Sequence, residues 1–324
     1  MTVRVLVTGG SGFIGTNYVE LAVGQPGTEV VNVDHKAPQN PAHRAYWREG
    51  DILDAPRLKA IVTEFKPTHV VHLAARTGVA TADPKIFAAN TVGTQNLIDA
   101  CKQAASVERI IFTSSLLVCR MGYYPSSDTD YAPTTAYGQS KVDMELLVRG
   151  QEMPMSWVII RPISIWGPWN DEPYINFFRS ILGGWYFHIG SGHYRRSLGY
   201  VGNVVQQISR LLTAPASAVD RKTFYVADEK PADLFEMAEE IRRQAKAPRI
   251  RRVPLPLARA GAVFGDVATG VGFKRFPLTS FRLNNILTEY VFDLSPTMSV
   301  SGPQPFQLQE GIARTLAWLK NRNA

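Results

Sequence analysis

Val3-Arg4-Val5-Leu6-Val7-Thr8-Gly9-Gly10-Ser11-Gly12-Phe13-Ile14-Gly15 runs from a β-branched, apolar segment straight into closely spaced glycines. Such a run passes from a buried strand through a tight turn into a helix. Gly9, Gly12 and Gly15 are spaced G-x-x-G-x-x-G, and Gly10, Gly12 and Gly15 satisfy G-x-G-x-x-G, a dinucleotide fingerprint. The first glycine permits the sharp turn and the second lets a pyrophosphate approach the backbone. The third seats the helix close to the strand, with the anion at its N-terminus. Glu29–Val33 reads as a second strand that Asp34 ends, 19 residues after Gly15. An acid there accepts the ribose hydroxyls of adenosine and repels a 2′-phosphate, favouring NAD over NADP. A solvated loop acid is the alternative.

Farther along, Gly50-Asp51-Ile52 precedes a helix over Pro56–Phe65. Asp51 fits either an adenine-edge acceptor or a helix-capping acid. His69–Ala75 reads as a strand with small residues at its C-terminal end, leaving room for a cofactor over the sheet edge. Its two histidines face opposite sides, are poor partners for a metal, and read as ordinary sheet residues; no metal is expected. Pro84–Ala105 reads as one long amphipathic helix, with Phe87, Leu97, Ile98 and Cys101 inward and Asn90 and Asn96 as polar exceptions. Arg109–Ser115 is the next strand. This alternation predicts an α/β fold with a Rossmann-type doubly wound parallel sheet, its ligands beyond the strand C-termini.

Tyr137 and Lys141 stand one turn apart on a helix expected to run to about Arg149. An ammonium beside a phenol, together with a positively charged cofactor, brings the phenol toward working pH, so that it can take a proton from a hydroxyl while hydride leaves the same carbon. Ser115, at the tip of the preceding strand, can hydrogen-bond that oxygen. The pair alone is a common helical surface contact; its place after a hydroxyl-tipped strand and a glycine loop gives it chemical meaning.

The chain resembles extended short-chain dehydrogenases/reductases of the NAD-dependent epimerase/dehydratase family. The resemblance rests on Thr8-Gly9-x-x-Gly12-x-x-Gly15, Gly50-Asp51, His72-Leu73-Ala74-Ala75, Asn90-x-x-Gly93-Thr94-x-Asn96-Leu97, Thr113-Ser114-Ser115, Tyr137-Gly138-x-Ser140-Lys141, Arg161-Pro162 and Trp166-Gly167-Pro168. It implies Tyr137 as acid/base, Lys141 on the nicotinamide ribose and Ser115 on the substrate oxygen. Asn90 would support the cofactor network. Phe13, Ile14, Asp51, Ile52, Leu73, Ala74 and Ala75 would line the cofactor, and Pro162, Ile163 and Ser164 would lie near the nicotinamide. Arg196 aligns with the arginine that clamps a nucleotide diphosphate, and Arg282 resembles a second; a surface ion pair or packing stem is the alternative for each. Two departures matter. Leu116-Leu117 stand where dehydratases carry acids after the catalytic hydroxyl, which disfavours dehydration. Tyr200-Val201-Gly202-Asn203 lacks the two acids of the usual Tyr-Val-Asp-Asp.

With 324 residues and 45% apolar content, the chain can build a large core. The excess of 35 Lys+Arg over 28 Asp+Glu is scattered, clustering at Arg242–Arg243 and Arg249–Arg252, and lacks the aromatic interleaving of a base-stacking surface. Anionic small ligands are therefore expected rather than nucleic acid. Two cysteines and no secretory pattern suggest a reducing, cytoplasmic setting. The longest low-charge stretch, Ala260–Phe273, is broken by Asp266 and too short for a membrane span. Residues 1–167 are expected to form the dinucleotide domain, with later segments returning to it. Residues 168–324 are expected to form mainly a smaller, interleaved substrate lobe. There Asn176, Phe177 and Phe178 could contact a base or belong to core, while Phe235–Ala245 and Gly311–Lys320 read as amphipathic helices. Trp166–Trp169 and Leu278–Asp293 resemble members with surface-polysaccharide functions.

The expected activity is NAD-dependent hydride transfer on a nucleotide-diphosphate sugar, as 4-epimerisation through a keto intermediate. The alternatives are a ketoreductase or dehydrogenase of a nucleotide sugar or hydrophobic alcohol, and a non-catalytic nucleotide-binding protein. The family commonly dimerises through the helices at 84–105 and 136–149, so a homodimer is expected.

Overall fold

The computed structural model describes residues 2–78, 83–170, 174–270 and 278–322. Its centre is a seven-stranded sheet of β1 (Val3–Thr8), β2 (Thr28–Asp34), β3 (Trp47–Glu49), β4 (His69–His72), β5 (Arg109–Thr113), β6 (Ser156–Pro162) and β7 (Lys222–Val226). The spatial order is β7-β6-β5-β4-β1-β2-β3, and every pairing is parallel. The winding reverses between β1 and β4, which opens a crevice above the strand C-termini.

Side chains alternating along each strand divide the core in two. On one face Val5, Val7, Val71, Ile111 and Val158 meet α1 (Phe13–Val23) and α6 (Val201–Thr213) through Tyr18, Val19, Val204 and Ile208. On the other, Leu6, Val70, Ile110, Phe112 and Ile159 meet α2 (Ala55–Phe65), α3 (Ala88–Lys102) and α4 (Ala136–Gly150) through Leu58, Ile98 and Met144. Each such side chain contributes about 1.5–3 kcal/mol by leaving water. The remaining helices used below are α5 (Tyr174–Leu182), α7 (Leu234–Ala245), α8 (Leu255–Gly270), α9 (Ser280–Leu287) and α10 (Leu308–Arg322). Residues 271–273 of the long low-charge stretch lie outside the described residues.

Three elements differ from their sequence expectation. β4 ends at His72, not Ala75, and β5 at Thr113, not Ser115; Leu73 and Ser114 each donate one last main-chain bond, to the Thr8 and Ile160 carbonyls, before the chain departs from the sheet. Pro84–Ala105 divides into a 3₁₀ turn over Pro84–Phe87 and α3, which ends at Lys102. Asp83 caps the turn through the Lys85 amide, and proline at its first position presets the chain.

Candidate functional site

The glycine loop closes over the end of β1. Gly9 has φ +75°, and a Cβ there would lie 2.5 Å from the Ala74 nitrogen, so β1 and the residues after β4 touch through main chain alone. At Gly15 a Cβ would meet the Gly9 carbonyl oxygen at 2.2 Å. Gly12 is different: apart from the Gly9 oxygen at 3.2 Å, a Cβ there would enter open space. Gly12 also caps α1 without any side-chain hydrogen bond, and no acid occupies the first turn. The free amides at that terminus and the open space above Gly12 fit a pyrophosphate. Phe13 and Ile14 form the first turn and lean on the core.

Asp34 ends β2 beside this loop. Its carboxylate accepts from the Ser11 amide at 3.1 Å and from the Lys36 amide at 2.9 Å, which fixes it toward the glycines, where a ribose would lie. Asp51 accepts from the Leu53 amide at 2.9 Å, whereas Asp54 caps α2 through the Arg57 amide at 3.0 Å. Helix capping therefore belongs to Asp54. Ile52 is buried against a Gly93 that leaves no room for a side chain. Leu73, Ala74 and Ala75 continue past β4 along the same edge.

Ser115 follows β5 and is buried, its hydroxyl accepting from the Leu117 amide at 3.1 Å. The Ser115 hydroxyl favours ionisation of the Tyr137 phenol. Part of the Tyr137 ring stays open, yet protein crowded around the phenol pushes its pKa up to about 12, with Ser115 acting in the opposite direction. Lys141 is buried one turn along α4 and donates to the Thr113 carbonyl at 2.8 Å. Burial brings its pKa down to about 8, while the Glu145 carboxylate favours the ammonium. The protein alone thus holds the phenol above its ordinary value, and the expected shift toward working pH includes a bound cofactor. Desolvation of the phenol outweighs the help it receives, and the positive charge of a cofactor has yet to be added.

A chain of hydrogen bonds that the sequence reading did not assemble joins the two parts of the site. Thr8 Oγ1 and His72 Nδ1 are 2.6 Å apart, and His72 Nε2 lies 3.0 Å from Thr94 Oγ1. Thr94 donates to the Asn90 carbonyl, Asn90 Nδ2 donates to Ser140 Oγ at 2.9 Å, and Ser140 donates to the Tyr137 carbonyl. Burial and nearby Lys141 drive the His72 pKa to about 3, so its imidazole is neutral. The polar exceptions on α3 are explained as well: Asn90 also pairs with both main-chain groups of Arg76, and Asn96 donates to the Ile52 carbonyl at 2.9 Å.

Under α4 a buried ion pair fixes β6. Arg161 donates to Glu145 at 2.9 and 2.8 Å, with both side chains fully enclosed, and also to the Tyr225 hydroxyl. Pro162 ends β6, and Ser164 follows with φ +47°, left-handed for a residue with a side chain. Its hydroxyl lies 2.8 Å from the Tyr290 hydroxyl. Arg196 stacks over the Tyr290 ring at 5.2 Å and donates to the carbonyls of Thr288 and Asn285 at the end of α9. Arg282 is exposed on α9, its amide on the Thr279 hydroxyl. Of the two substrate arginines expected from sequence, Arg196 therefore stands by Ser164, Tyr174 and Tyr290, occupied by main-chain oxygens. Phe178 is core, Phe177 packs edge-on to Tyr186, and Asn176 is exposed.

Residues 5–227 match the model of the NAD dependent epimerase/dehydratase family. The chain is 27% identical to the N-acetyl-alpha-D-glucosaminyl-diphospho-ditrans,octacis-undecaprenol 4-epimerase of Escherichia coli O157:H7, over 98% of this chain and 96% of that one. It is 30% identical to a 3-beta-hydroxysteroid dehydrogenase of Mycolicibacterium neoaurum, over 74% and 69% of the respective chains. Among solved structures, a UDP-glucose 4-epimerase of Thermotoga maritima with UDP-glucose superposes with TM-score 0.76 at 20% identity, covering 99% of this chain and 100% of that one.

Proposed function

The chain belongs to the NAD dependent epimerase/dehydratase family, and from that premise we propose that it inverts carbon 4 of a nucleotide-diphosphate sugar through a keto intermediate, with NAD retained. The observation that carries this reading is the meeting of Ser115, Tyr137 and Lys141 beside an open glycine cradle. Bound NAD supplies the hydride acceptor and donor, and a positive charge near the phenol. Gly9, Gly12, Phe13, Ile14 and Gly15 hold its pyrophosphate, and Asp34 accepts the adenosine ribose hydroxyls. Asp51 and Ile52 border the adenine. Leu73, Ala74, Ala75, Pro162 and Ser164 border the nicotinamide half. Lys141 donates to the nicotinamide ribose, and Asn90 holds the helix that carries it.

Tyr137 takes the proton of the carbon 4 hydroxyl as that carbon is oxidised, and returns it to the oxygen after the opposite face is reduced. Ser115 hydrogen-bonds that oxygen throughout and steadies its developing charge. Leu116 and Leu117 leave no acid beside the hydroxyl for elimination at a neighbouring carbon. Arg196 and Arg282 meet the diphosphate, for which Arg196 exchanges its main-chain carbonyls for phosphate oxygens. The segments beyond residue 167, apart from those that return to the sheet, form the lobe around the sugar. We also propose a cytoplasmic homodimer joined through α3 and α4, supported by the exposed Val92 and Leu146 on those helices.

Native mass spectrometry, heat release of bound nucleotide and a panel of UDP-, GDP-, CDP- and dTDP-sugars test this reading. Co-purified NAD and conversion of one sugar to its 4-epimer, with no net cofactor change, are expected. Stoichiometric oxidation or reduction of added cofactor during turnover, or tighter binding of NADPH, would favour the ketoreductase or dehydrogenase reading, consistent with the steroid dehydrogenase relative.

A further inference from the structure

The protons of the polar chain between the glycine loop and α4 can be placed one by one. The Thr94 hydroxyl gives its single proton to the Asn90 carbonyl at 2.9 Å, so toward His72 Nε2, 3.0 Å away, its oxygen must accept. His72 therefore carries a proton on Nε2. Burial and Lys141, the charged group acting on it, drive its pKa down to about 3 and keep the ring neutral. Nδ1 then holds a lone pair and accepts from the Thr8 hydroxyl at 2.6 Å. The Thr8 oxygen in turn accepts from the Ala74 amide at 3.5 Å. On the far side, Asn90 Oδ1 accepts from the Arg76 amide at 2.8 Å, which leaves Nδ2 as the donor to Ser140, and Ser140 donates to the Tyr137 carbonyl at 2.7 Å.

All donors thus point one way, from Ala74 on the cofactor edge to the first turn of α4. Bonds aligned head to tail polarise and strengthen one another. Phe112 meets the imidazole edge-on with centroids 6.0 Å apart, so the ring in the middle of the chain has its plane fixed as well. The same turn of α4 is tied to the end of β5 by other contacts. Lys141 donates to the Thr113 carbonyl, and Gly138 lies so close to the Leu117 carbonyl that a Cβ would not fit. Those contacts set Tyr137 beside Ser115, and the polar chain sets it against the cofactor edge.

We propose that His72 is a positioning residue: neutral and protonated on Nε2, it carries the setting of the glycine-loop edge to α4 and so fixes the Tyr137 phenol relative to the nicotinamide. The other tautomer, or an imidazolium, would turn a proton toward Thr8 and break the single direction of the chain at its centre. The inference rests on Tyr137 as the acid/base and goes beyond it by giving a role to a buried ring outside the reaction itself. Its test reads the imidazole and the phenol directly, so it can fail while epimerisation stands, and epimerisation can fail while it stands.

Two measurements on the full chain decide it. In nitrogen NMR spectra of histidine-labelled protein, His72 is identified by its change in Thr94→Val. It is expected to hold its proton on Nε2 and not to titrate from about pH 8 to about pH 5. Ultraviolet difference spectra against Tyr137→Phe, in excess NAD, give the pH midpoint of the phenol. Thr94→Val keeps the shape of the side chain but removes the acceptor, so the phenol is freed to drift from Lys141 and the cofactor charge. The midpoint should rise by about half a unit, a roughly three-fold loss of phenolate at fixed pH. Thr94→Ser, which keeps the hydroxyl, should restore it. Ser140→Ala breaks the same chain farther along, so the double variant with Thr94→Val should shift no further than either single one. The proposal is overturned by an Nδ1-protonated or charged His72, or by shifts that add in the double variant. It is also overturned if Thr94→Val lowers the thermal midpoint while its phenol titrates as in wild type, which would leave the chain a structural brace alone.

Discussion

In the proposed site, the dinucleotide end of the crevice is built from main chain, and the sugar end from side chains. Gly9, Gly12 and Gly15 act through missing Cβ atoms within seven positions of one another, against the neighbouring backbone of Ala74 and Gly9 itself. At the other end Ser164 meets Tyr290 across 126 positions, and Arg196 reaches carbonyls about 90 residues away. A cradle made by absence is fixed by spacing alone. A cluster made by encounter exists only once the fold has formed. The first end should therefore tolerate almost no added atoms, and the second should tolerate conservative change.

Tyr137, where the two ends meet, offers the strongest way to break this division. Tyr137→Phe removes the proton acceptor but not the ring that packs near Phe87. Turnover is expected to fall by about 10²–10⁴-fold, with NAD affinity within roughly two-fold of wild type as measured by calorimetry. An equal loss of NAD binding would show that the two ends are not separable. Next in size is Glu145→Gln, which leaves Arg161 enclosed without its charge partner at a cost of about 3–5 kcal/mol, read as a fall in thermal midpoint. It also carries a pH signature. Burial lowers the Lys141 pKa to about 8 and the Glu145 carboxylate opposes that fall, so its removal lowers the value further. The ammonium is then lost at lower pH, and the alkaline limb of the rate profile moves toward neutrality. A limb that stays in place would disconnect Lys141 from the rate.

The glycines sharpen the comparison within the main-chain end. Gly15→Ala drives a Cβ into the Gly9 carbonyl and Gly10 main chain, neither of which can swing aside, and is expected to cost about 1–3 kcal/mol in stability. Gly12→Ala meets only the Gly9 carbonyl oxygen, at 3.2 Å, so its thermal midpoint should fall far less than that of Gly15→Ala while NAD affinity drops. The reverse pattern, in denaturation and binding measurements on the two variants, would mean that the open space above Gly12 is not the pyrophosphate seat.

What could be read in the sequence follows the same division. The β1–glycine–α1 unit, Asp34, and the one-turn pairing of Tyr137 with Lys141 are local patterns, and the parallel sheet follows from their alternation with helices. The sequence pattern runs past the ends of β4 and β5 by two or three residues because Leu73–Ala75 and Ser114–Ser115 keep strand-like composition, and Leu73 and Ser114 keep one main-chain bond each to the neighbouring strand. Asp51 and Asp54 look alike as capping acids until the backbone shows which amide each receives. The Thr8–His72–Thr94–Asn90–Ser140 chain joins four separate elements, and its only trace in the sequence is a set of polar residues at core positions. Asn90 stands out as one such exception; His72 and Thr94 carry the same signal. Arg196 was found by alignment with a pattern, but its attachment to α9 depends on where residues 280–290 return.

The smallest expected effect lies at the side-chain end, and it measures how much that end can absorb. Tyr290→Phe removes the hydroxyl that lies 2.8 Å from Ser164 but keeps the ring under Arg196. Ser164 is held at φ +47°, a conformation costing of order 1 kcal/mol or more that its surroundings must maintain. Main-chain bonds from Ile163 to the Val226 carbonyl and from Gly199 to the Ser164 carbonyl remain, so the strained turn should persist with one restraint fewer. One neutral hydrogen bond is worth about 1 kcal/mol, or roughly five-fold. That loss is expected in KM for the sugar, with kcat and NAD affinity near wild type, because the hydroxyl belongs to the wall of the sugar end and not to the proton path through Tyr137. A comparable fall in kcat would instead show that the Tyr290 hydroxyl helps Ser164 orient the nicotinamide, and the boundary between the two ends would then run through Tyr290 and not stop at Ser164.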